Sequence, residues 1–261
     1  MALIAVNGID LDVETLGSGP DLVLLHSLLA ERSAFEHVAP ELAKSFRLRL
    51  VNLPGYGKSA PAGATLDTYA DHLATAFAAL KLAKHAAVLG NGFGGFIALA
   101  LAVRHGDKFG SLIVADSLAS FPAPAKEPFR VMAEKVRSIG MSAVLDAAIN
   151  RMFPPNFILA HPEIVAERKR LLAQANPECF ARACLALAQV DFRAVLPKIK
   201  KRTLVMAGAL DQTTPVALVR ELASAIPGAM FEEIPDCGHC PQIEKPAEFI
   251  AAVRGFLLGK D

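Results

Sequence analysis

Short apolar runs recur along the chain at intervals and are separated by longer stretches with helical periodicity. Leu3 to Val6 and Leu11 to Glu14 alternate about Asn7-Gly8, a dipeptide that accepts two positive φ values, so the chain is expected to open with an antiparallel hairpin. The next runs are Leu22 to Leu25, Leu48 to Val51, Ala86 to Leu89, Leu112 to Ala115, Leu204 to Ala207 and Phe231 to Ile234. Their continuous apolarity is that of strands buried on both faces of a parallel sheet. Helices are predicted between them at Phe35 to Lys44, Leu66 to Leu80, Phe93 to Arg104, Val216 to Ala225 and Pro246 to Leu258. This alternation predicts an α/β fold with a mostly parallel sheet and helices on both faces.

The alternation stops once. From about 121 to 193 there is no strand signal, only helix-like pieces carrying Phe129, Met132, Met141, Met152, Phe153, Phe157 and Phe180. The expectation is one domain over residues 1–261 with a helical cap at 121–193, placed over the crevice where open α/β sheets bind ligands. Most of these Met and Phe side chains are expected to be packing between cap helices, with a few lining a pocket.

Composition narrows the function classes. With 261 residues, 53% of them hydrophobic, the chain can bury one large core, and a formal charge of +1 gives no broad field for nucleic acid or an anionic membrane. The basic clusters at Lys198, Lys200, Lys201 and Arg202 and at Arg168, Lys169 and Arg170 are expected to be solvated faces. The opening residues lack a basic region followed by an apolar stretch, and the longest apolar run, Phe93 to Val103, is about half the roughly 20 residues that span a bilayer. A cytoplasmic location follows as an expectation. Cys179, Cys184, Cys237 and Cys240 are too few for a disulfide framework and fit a reducing compartment. Oligomeric state is left open.

The strand Ala86 to Leu89 runs into Gly90-Asn91-Gly92-Phe93-Gly94-Gly95 and then a helix, the context of a nucleophile elbow, G-x-S-x-G. The nucleophile position holds Gly92, which has no hydroxyl. Gly90, Gly92 and Gly95 also satisfy a bare G-x-G-x-x-G, but that motif normally follows the first strand of its unit, and no acidic residue closes a strand roughly 20 residues on. A dinucleotide site is disfavoured. Cys237 and Cys240 bracket His239, yet a zinc site would need further ligands at matching spacing, so no metal is expected.

His26-Ser27 after the second buried run, Asn52-Leu53-Pro54-Gly55-Tyr56-Gly57-Lys58-Ser59, the elbow, Gly208-Ala209-Leu210-Asp211 with Pro215, and Gly238-His239-Cys240-Pro241 with Glu244 and Pro246 together resemble the α/β-hydrolase superfamily throughout the chain. The branch of esterases, enol-lactonases and C–C hydrolases is the most similar, and the segments from Leu66 onward and around the elbow resemble 3-oxoadipate enol-lactonases. The resemblance implies that Asp211 orients His239, that the backbone N–H groups of Leu28 and Phe93 form an oxyanion hole, and that Ser27, His26 and Asn91 meet substrate. The chain departs from the family pattern at Gly92 for serine, Asn91 where histidine is frequent and Asn52 where aspartate is frequent.

Loss of the serine of a triad removes about a millionfold in turnover, leaving about a thousandfold or more over water from the oxyanion hole and binding. The reading is therefore a cofactor-independent enzyme on a small carbonyl substrate, an ester, an enol-lactone or similar, with the His239–Asp211 dyad as general base. A non-hydrolytic lyase, decarboxylase or C–C cleaving enzyme with the same dyad, a ligand-binding pseudoenzyme, and a hydrolase inactivated by a Ser-to-Gly change stay open. Ser27 as a substitute nucleophile is weighed below its role as a substrate hydrogen-bond donor. Arg130, Arg137 and Arg151 in the cap are candidates to meet a substrate carboxylate.

Overall fold

A computed structural model describes residues 2–259. Eight strands form one sheet: β1 Ala2–Val6, β2 Ile9–Leu16, β3 Asp21–Leu25, β4 Arg47–Val51, β5 Ala87–Asn91, β6 Ser111–Ala115, β7 Arg202–Gly208 and β8 Met230–Ile234. Their order is β1-β2-β4-β3-β5-β6-β7-β8. β1 pairs antiparallel with β2 and β2 with β4, and every later pairing is parallel. Asn7 takes φ 51° and Gly8 φ 78°, the two left-handed residues that close the first hairpin.

Eleven α-helices accompany the sheet among the described residues: α1 Ala39–Leu42, α2 Leu66–Ala79, α3 Phe93–His105, α4 Ala123–Ser138, α5 Leu145–Met152, α6 Pro155–Ala160, α7 Pro162–Leu172, α8 Pro177–Gln189, α9 Val216–Ala225, α10 Pro241–Glu244 and α11 Pro246–Leu258. Successive strand residues enter opposite cores: Leu22, Leu24, Leu48, Leu89 and Ile113 pack with α1 and α11, while Val23, Leu25, Val88, Leu112 and Val114 pack with α2 and α3. That two-sided burial is why these strands read as unbroken apolar runs. The expected helix over Phe35 to Lys44 is instead a 3₁₀ turn, Arg32–Phe35, followed by the single turn α1. Pro40, which lacks an N–H, is tolerated only in the first turn, so the helix starts beside it.

Two features of the topology place the site. The chain steps from β3 to β4 in one direction and from β5 onward in the other, so a crevice opens between the carboxyl ends of β3 and β5. Between β6 and β7 lie α4 to α8, which leave and rejoin the sheet at an antiparallel bridge between Ser120 and Asp191. No helix among the described residues is long and apolar enough to cross a membrane.

Candidate active site

At the carboxyl end of β5 the backbone turns at Gly92 with φ 52° and ψ −119° and enters α3. An L-residue in that region carries strain, which glycine avoids. The turn is tight enough that a β-carbon at Gly90 would stand 2.2 Å from the Gly94 carbonyl oxygen, and one at Gly94 would stand 2.2 Å from that of Leu25. The Gly94 N–H donates to the His26 carbonyl at 3.0 Å, which ties the start of α3 to the loop after β3. The elbow geometry is therefore present without its side chain.

Asp211 follows β7 and His239 follows β8, and the two meet at 2.7 Å through Asp211 Oδ2 and His239 Nδ1. Asp211 Oδ1 accepts the N–H groups of Thr213 at 2.7 Å and Thr214 at 3.1 Å, and the Thr214 hydroxyl donates to Oδ2. Burial works against charge on both groups. Their attraction prevails, lowering the Asp211 pKa and raising that of His239 to about 9. The loop carrying His239 is clamped on both sides: Glu244 accepts the Gly238 N–H at 2.7 Å and the Cys240 N–H at 2.9 Å, and the His239 N–H donates to the Met152 carbonyl at 3.0 Å. Burial pushes the Glu244 carboxyl up to about 7.

The other ring nitrogen, Nε2, lies 2.8 Å from the point where a β-carbon of residue 92 would stand. Around that point opens a cleft lined by Ser27, Leu28, Gly92, Phe93 and His239 on the sheet side and by Phe121, Phe129, Met132, Arg151 and Leu187 opposite. Neither the Leu28 nor the Phe93 N–H donates to an acceptor among the described residues. Two unengaged donors on adjacent loops are what an oxyanion hole requires.

Two residues expected to meet substrate do not reach the cleft. His26 is buried, accepting the Leu53 N–H at Nε2 (2.9 Å) and donating from Nδ1 to the Ser27 carbonyl (2.8 Å), and burial lowers its pKa to about 4. It is a neutral strut that braces the loop after β3. Asn91 is the last residue of β5, and its side chain points into the protein: Nδ2 donates to Asp116 Oδ2 at 3.1 Å and the His239 carbonyl at 3.0 Å, while Oδ1 accepts from Gln242 at 3.1 Å. Both side chains have their polar atoms committed to the protein.

Asp116, after β6, was not singled out in the sequence, although an acid at a strand's carboxyl end is the same signal that marked Asp211. It is fully buried, accepts the Gly208 N–H at 2.9 Å, and its pKa is raised by burial and by the nearby Asp211. Asp116, Asp211 and His239 each place a potential ligand atom within 4.8 Å of the others. Asp211 bonds His239 and Thr214, and Asp116 bonds Gly208 and Asn91, so the cluster is organised by hydrogen bonds. The four cysteines are free and buried, and burial pushes the Cys237 and Cys240 thiols up, away from thiolate chemistry.

Of the three arginines, Arg137 pairs with Glu178 and Arg130 with Glu127 on exposed surface. Arg151 lines the cleft over the Phe129 ring, 5.4 Å from its centroid, and has no carboxylate partner among the described residues.

A doubly wound sheet with a strand–elbow–helix turn facing an acid–histidine pair defines an α/β-hydrolase. The family model of that name, alpha/beta hydrolase family, matches residues 22–252, and the chain belongs to it. A pimeloyl-[acyl-carrier protein] methyl ester esterase of Chromobacterium violaceum is 32% identical over 251 residues, covering 94% of this chain and 96% of that protein. A 3-oxoadipate enol-lactonase of Acinetobacter baylyi is 33% identical over 168 residues, 64% of this chain and 62% of that protein. Among solved structures, the enol-lactonase of Burkholderia xenovorans superposes with TM-score 0.92 at 31% identity, covering 98% of this chain and all of that one (100%). A thermophilic esterase of Thermogutta terrifontis gives 0.91 at 31% identity, over 99% and 98% of the two chains. These relatives support a hydrolase of the carboxylic ester type.

Proposed function

We propose that the chain hydrolyses a small ester or lactone by a dyad mechanism that needs no serine at the elbow. The observation that carries this reading is His239, paired with Asp211 at 2.7 Å, presenting its free Nε2 to the space above Gly92. In that space His239 acts as general base on the attacking hydroxyl, water in the simplest case. Charge developing on the substrate carbonyl oxygen is met by the N–H groups of Leu28 and Phe93. General base catalysis supplies roughly a hundredfold to ten-thousandfold, and oriented oxyanion donors add a comparable factor. Activated acyl groups such as enol-lactones and aryl esters are within reach of that total.

The wall opposite the dyad favours a substrate with a short apolar body and an ionised end. Phe121, Phe129, Met132 and Leu187 offer apolar contact, and the burial that lowers the Arg151 pKa is relieved when a carboxylate approaches the guanidinium. Names borne by the relatives agree with esters and enol-lactones as the substrate class. The test is turnover of 3-oxoadipate enol-lactone and of phenyl acetate in water enriched in oxygen-18, by the protein and by His239→Ala. One solvent oxygen in the acid product, with turnover lost in the variant, is expected. Turnover unchanged by His239→Ala refutes the mechanism, and product formed without solvent oxygen assigns the dyad to a non-hydrolytic reaction.

A further inference from the structure

The space above Gly92 is flanked by a side-chain hydroxyl from the neighbouring strand end. The point where a β-carbon of residue 92 would stand is 2.6 Å from Ser27 Oγ, 3.1 Å from Ser27 Cβ and 2.8 Å from His239 Nε2. Ser27 thus leans into the volume that a serine at the elbow would fill, on the side of the ring nitrogen that Asp211 leaves free. Its backbone is fixed, with the carbonyl accepting His26 Nδ1 at 2.8 Å and the Ala30 N–H at 3.3 Å. Its hydroxyl, by contrast, enters no internal hydrogen bond among the described residues. A buried serine serving only the loop would spend that hydroxyl on a backbone group.

We propose that Ser27 is the nucleophile of this chain, relocated from the end of β5 to the end of the adjacent parallel strand β3. The proposal rests on the reading of His239–Asp211 as the general base. The relocation preserves the oxyanion hole by exchanging its two halves. Leu28 follows Ser27 in the chain as Phe93 follows Gly92, so one N–H still comes from the residue after the nucleophile and the other from across the crevice. Ser27 Oγ and His239 Nε2 flank one point without bonding each other, the looser spacing common for a nucleophile and its base before substrate arrives.

The chemistry closes without a further reactant. His239 Nε2 takes the Ser27 Oγ proton as Oγ bonds to the carbonyl carbon, and the carbonyl electron pair moves onto the oxygen held by the Leu28 and Phe93 N–H groups. Collapse of that adduct breaks the bond to the leaving oxygen, which receives the proton from His239, and leaves an ester on Ser27. Water, deprotonated by His239, then attacks the ester, and the acid departs with Ser27 restored.

The test is covalent trapping. The protein, Ser27→Ala, Ser27→Cys and His239→Ala are incubated with diethyl p-nitrophenyl phosphate, followed by intact mass and peptide mapping, and p-nitrophenyl acetate is used to seek a burst of p-nitrophenol. Ser27→Ala keeps the β-carbon and breaks no internal bond, so it is expected to fold, and its thermal midpoint checks this. The expected result is one diethylphosphoryl group on the peptide containing Ser27, absent from Ser27→Ala and formed at least 100-fold more slowly in His239→Ala. A burst equal to the enzyme concentration is expected in the protein and in Ser27→Cys. Turnover that needs His239 but survives Ser27→Ala, or that falls in Ser27→Ala with no label ever found on Ser27, overturns this proposal and leaves water as the attacking group of the dyad. Turnover independent of His239 overturns the dyad reading itself.

Discussion

Restoring the side chain at the elbow, Gly92→Ser, separates the effects of backbone, packing and chemistry. The backbone there has φ 52° and ψ −119°, and holding an L-residue in such a region costs about 1–3 kcal/mol. The new β-carbon also meets Ser27 Oγ at 2.6 Å and His239 Nε2 at 2.8 Å. The first contact is relieved by rotating the Ser27 hydroxyl, whereas the second requires a buried ring to move. A domain of this length loses roughly 2–4 °C in Tm per kcal/mol, so the variant is expected to melt about 2–12 °C lower. Ser27→Ala added to Gly92→Ser removes the rotatable clash and recovers part of that loss, a non-additive pair because the two side chains compete for one volume. In exchange the variant acquires an elbow hydroxyl beside His239 Nε2. A triad serine is worth about a millionfold, and general base action on another hydroxyl supplies about 10² to 10⁴ of it, so a gain of roughly 10² to 10⁴ in kcat on phenyl acetate is expected. Calorimetry and a steady-state assay read both quantities. A Gly92→Ser protein as stable as its parent would show that the elbow is not held in the strained conformation, and a destabilised but inactive one would show that the dyad and oxyanion donors do not converge on residue 92.

The pH profile follows from the same pair. His239 must be neutral to accept a proton and its pKa is raised to about 9, so kcat/KM for phenyl acetate should climb nearly tenfold per pH unit from 7 and level off near 9. In Asp211→Asn burial acts without its main opposing partner, and the limb should move down from 9 at much lower rate; a limb that stays near 9 would show that Asp211 is not what raises it. For stability, a raised histidine contributes fully below its unfolded value of 6.5 and loses that contribution as pH passes about 9, so urea midpoints should fall between pH 7 and 10 in the parent and less in His239→Ala. Arg151→Met should cut kcat/KM about 10- to 100-fold for monomethyl adipate and leave dimethyl adipate within about threefold, since only the former offers a carboxylate to the guanidinium. Asn91→Leu should cost about 1–3 kcal/mol by stranding the His239 carbonyl, Asp116 and Gln242, and should lower kcat through a displaced His239 rather than raise KM; a KM effect alone would return Asn91 to substrate binding.

Pattern and periodicity carried most of the architecture, because strands buried on both faces leave apolar runs and the amphipathic helices between them leave a 3.6-residue period. Helices Val216–Ala225 and Pro246–Leu258 appear with the bounds read from sequence, whereas the stretch around Pro40 does not, since apolar content there outweighed the missing N–H. Motif spacing singled out Asp211, His239 and Gly92 at strand ends, where the structure brings the three together. Side-chain direction was less visible. Asn91 and His26 stand beside motif residues, yet each has a partner far away in the chain, with Gln242 151 positions from Asn91 and Leu53 27 positions from His26. Ser27 shows the converse: its place after β3 made it a candidate substitute nucleophile, but that its hydroxyl stands 2.6 Å from where a β-carbon of residue 92 would be becomes evident only when β3 and β5 are set side by side.

The parts retained around Gly92 bear on whether the site still works. A glycine at the elbow removes local strain, and a protein that merely bound a ligand would gain further stability by discarding the buried Asp211–His239 pair, because two desolvated charges are seldom better than well-packed apolar side chains of the same volume. Instead the pair is supported in depth. Thr213 and Thr214 hold Asp211, Glu244 clamps the histidine loop from both sides, and Asn91 and Gln242 brace it from below. The Leu28 and Phe93 N–H groups, meanwhile, remain without acceptors in the cleft wall. Unsatisfied donors and a buried ion pair both cost stability in the resting protein, and both are recovered when a carbonyl oxygen acquires negative charge between them. That pairing of resting cost with transition-state gain is the physical signature of catalysis, and it favours an enzyme over a binding protein.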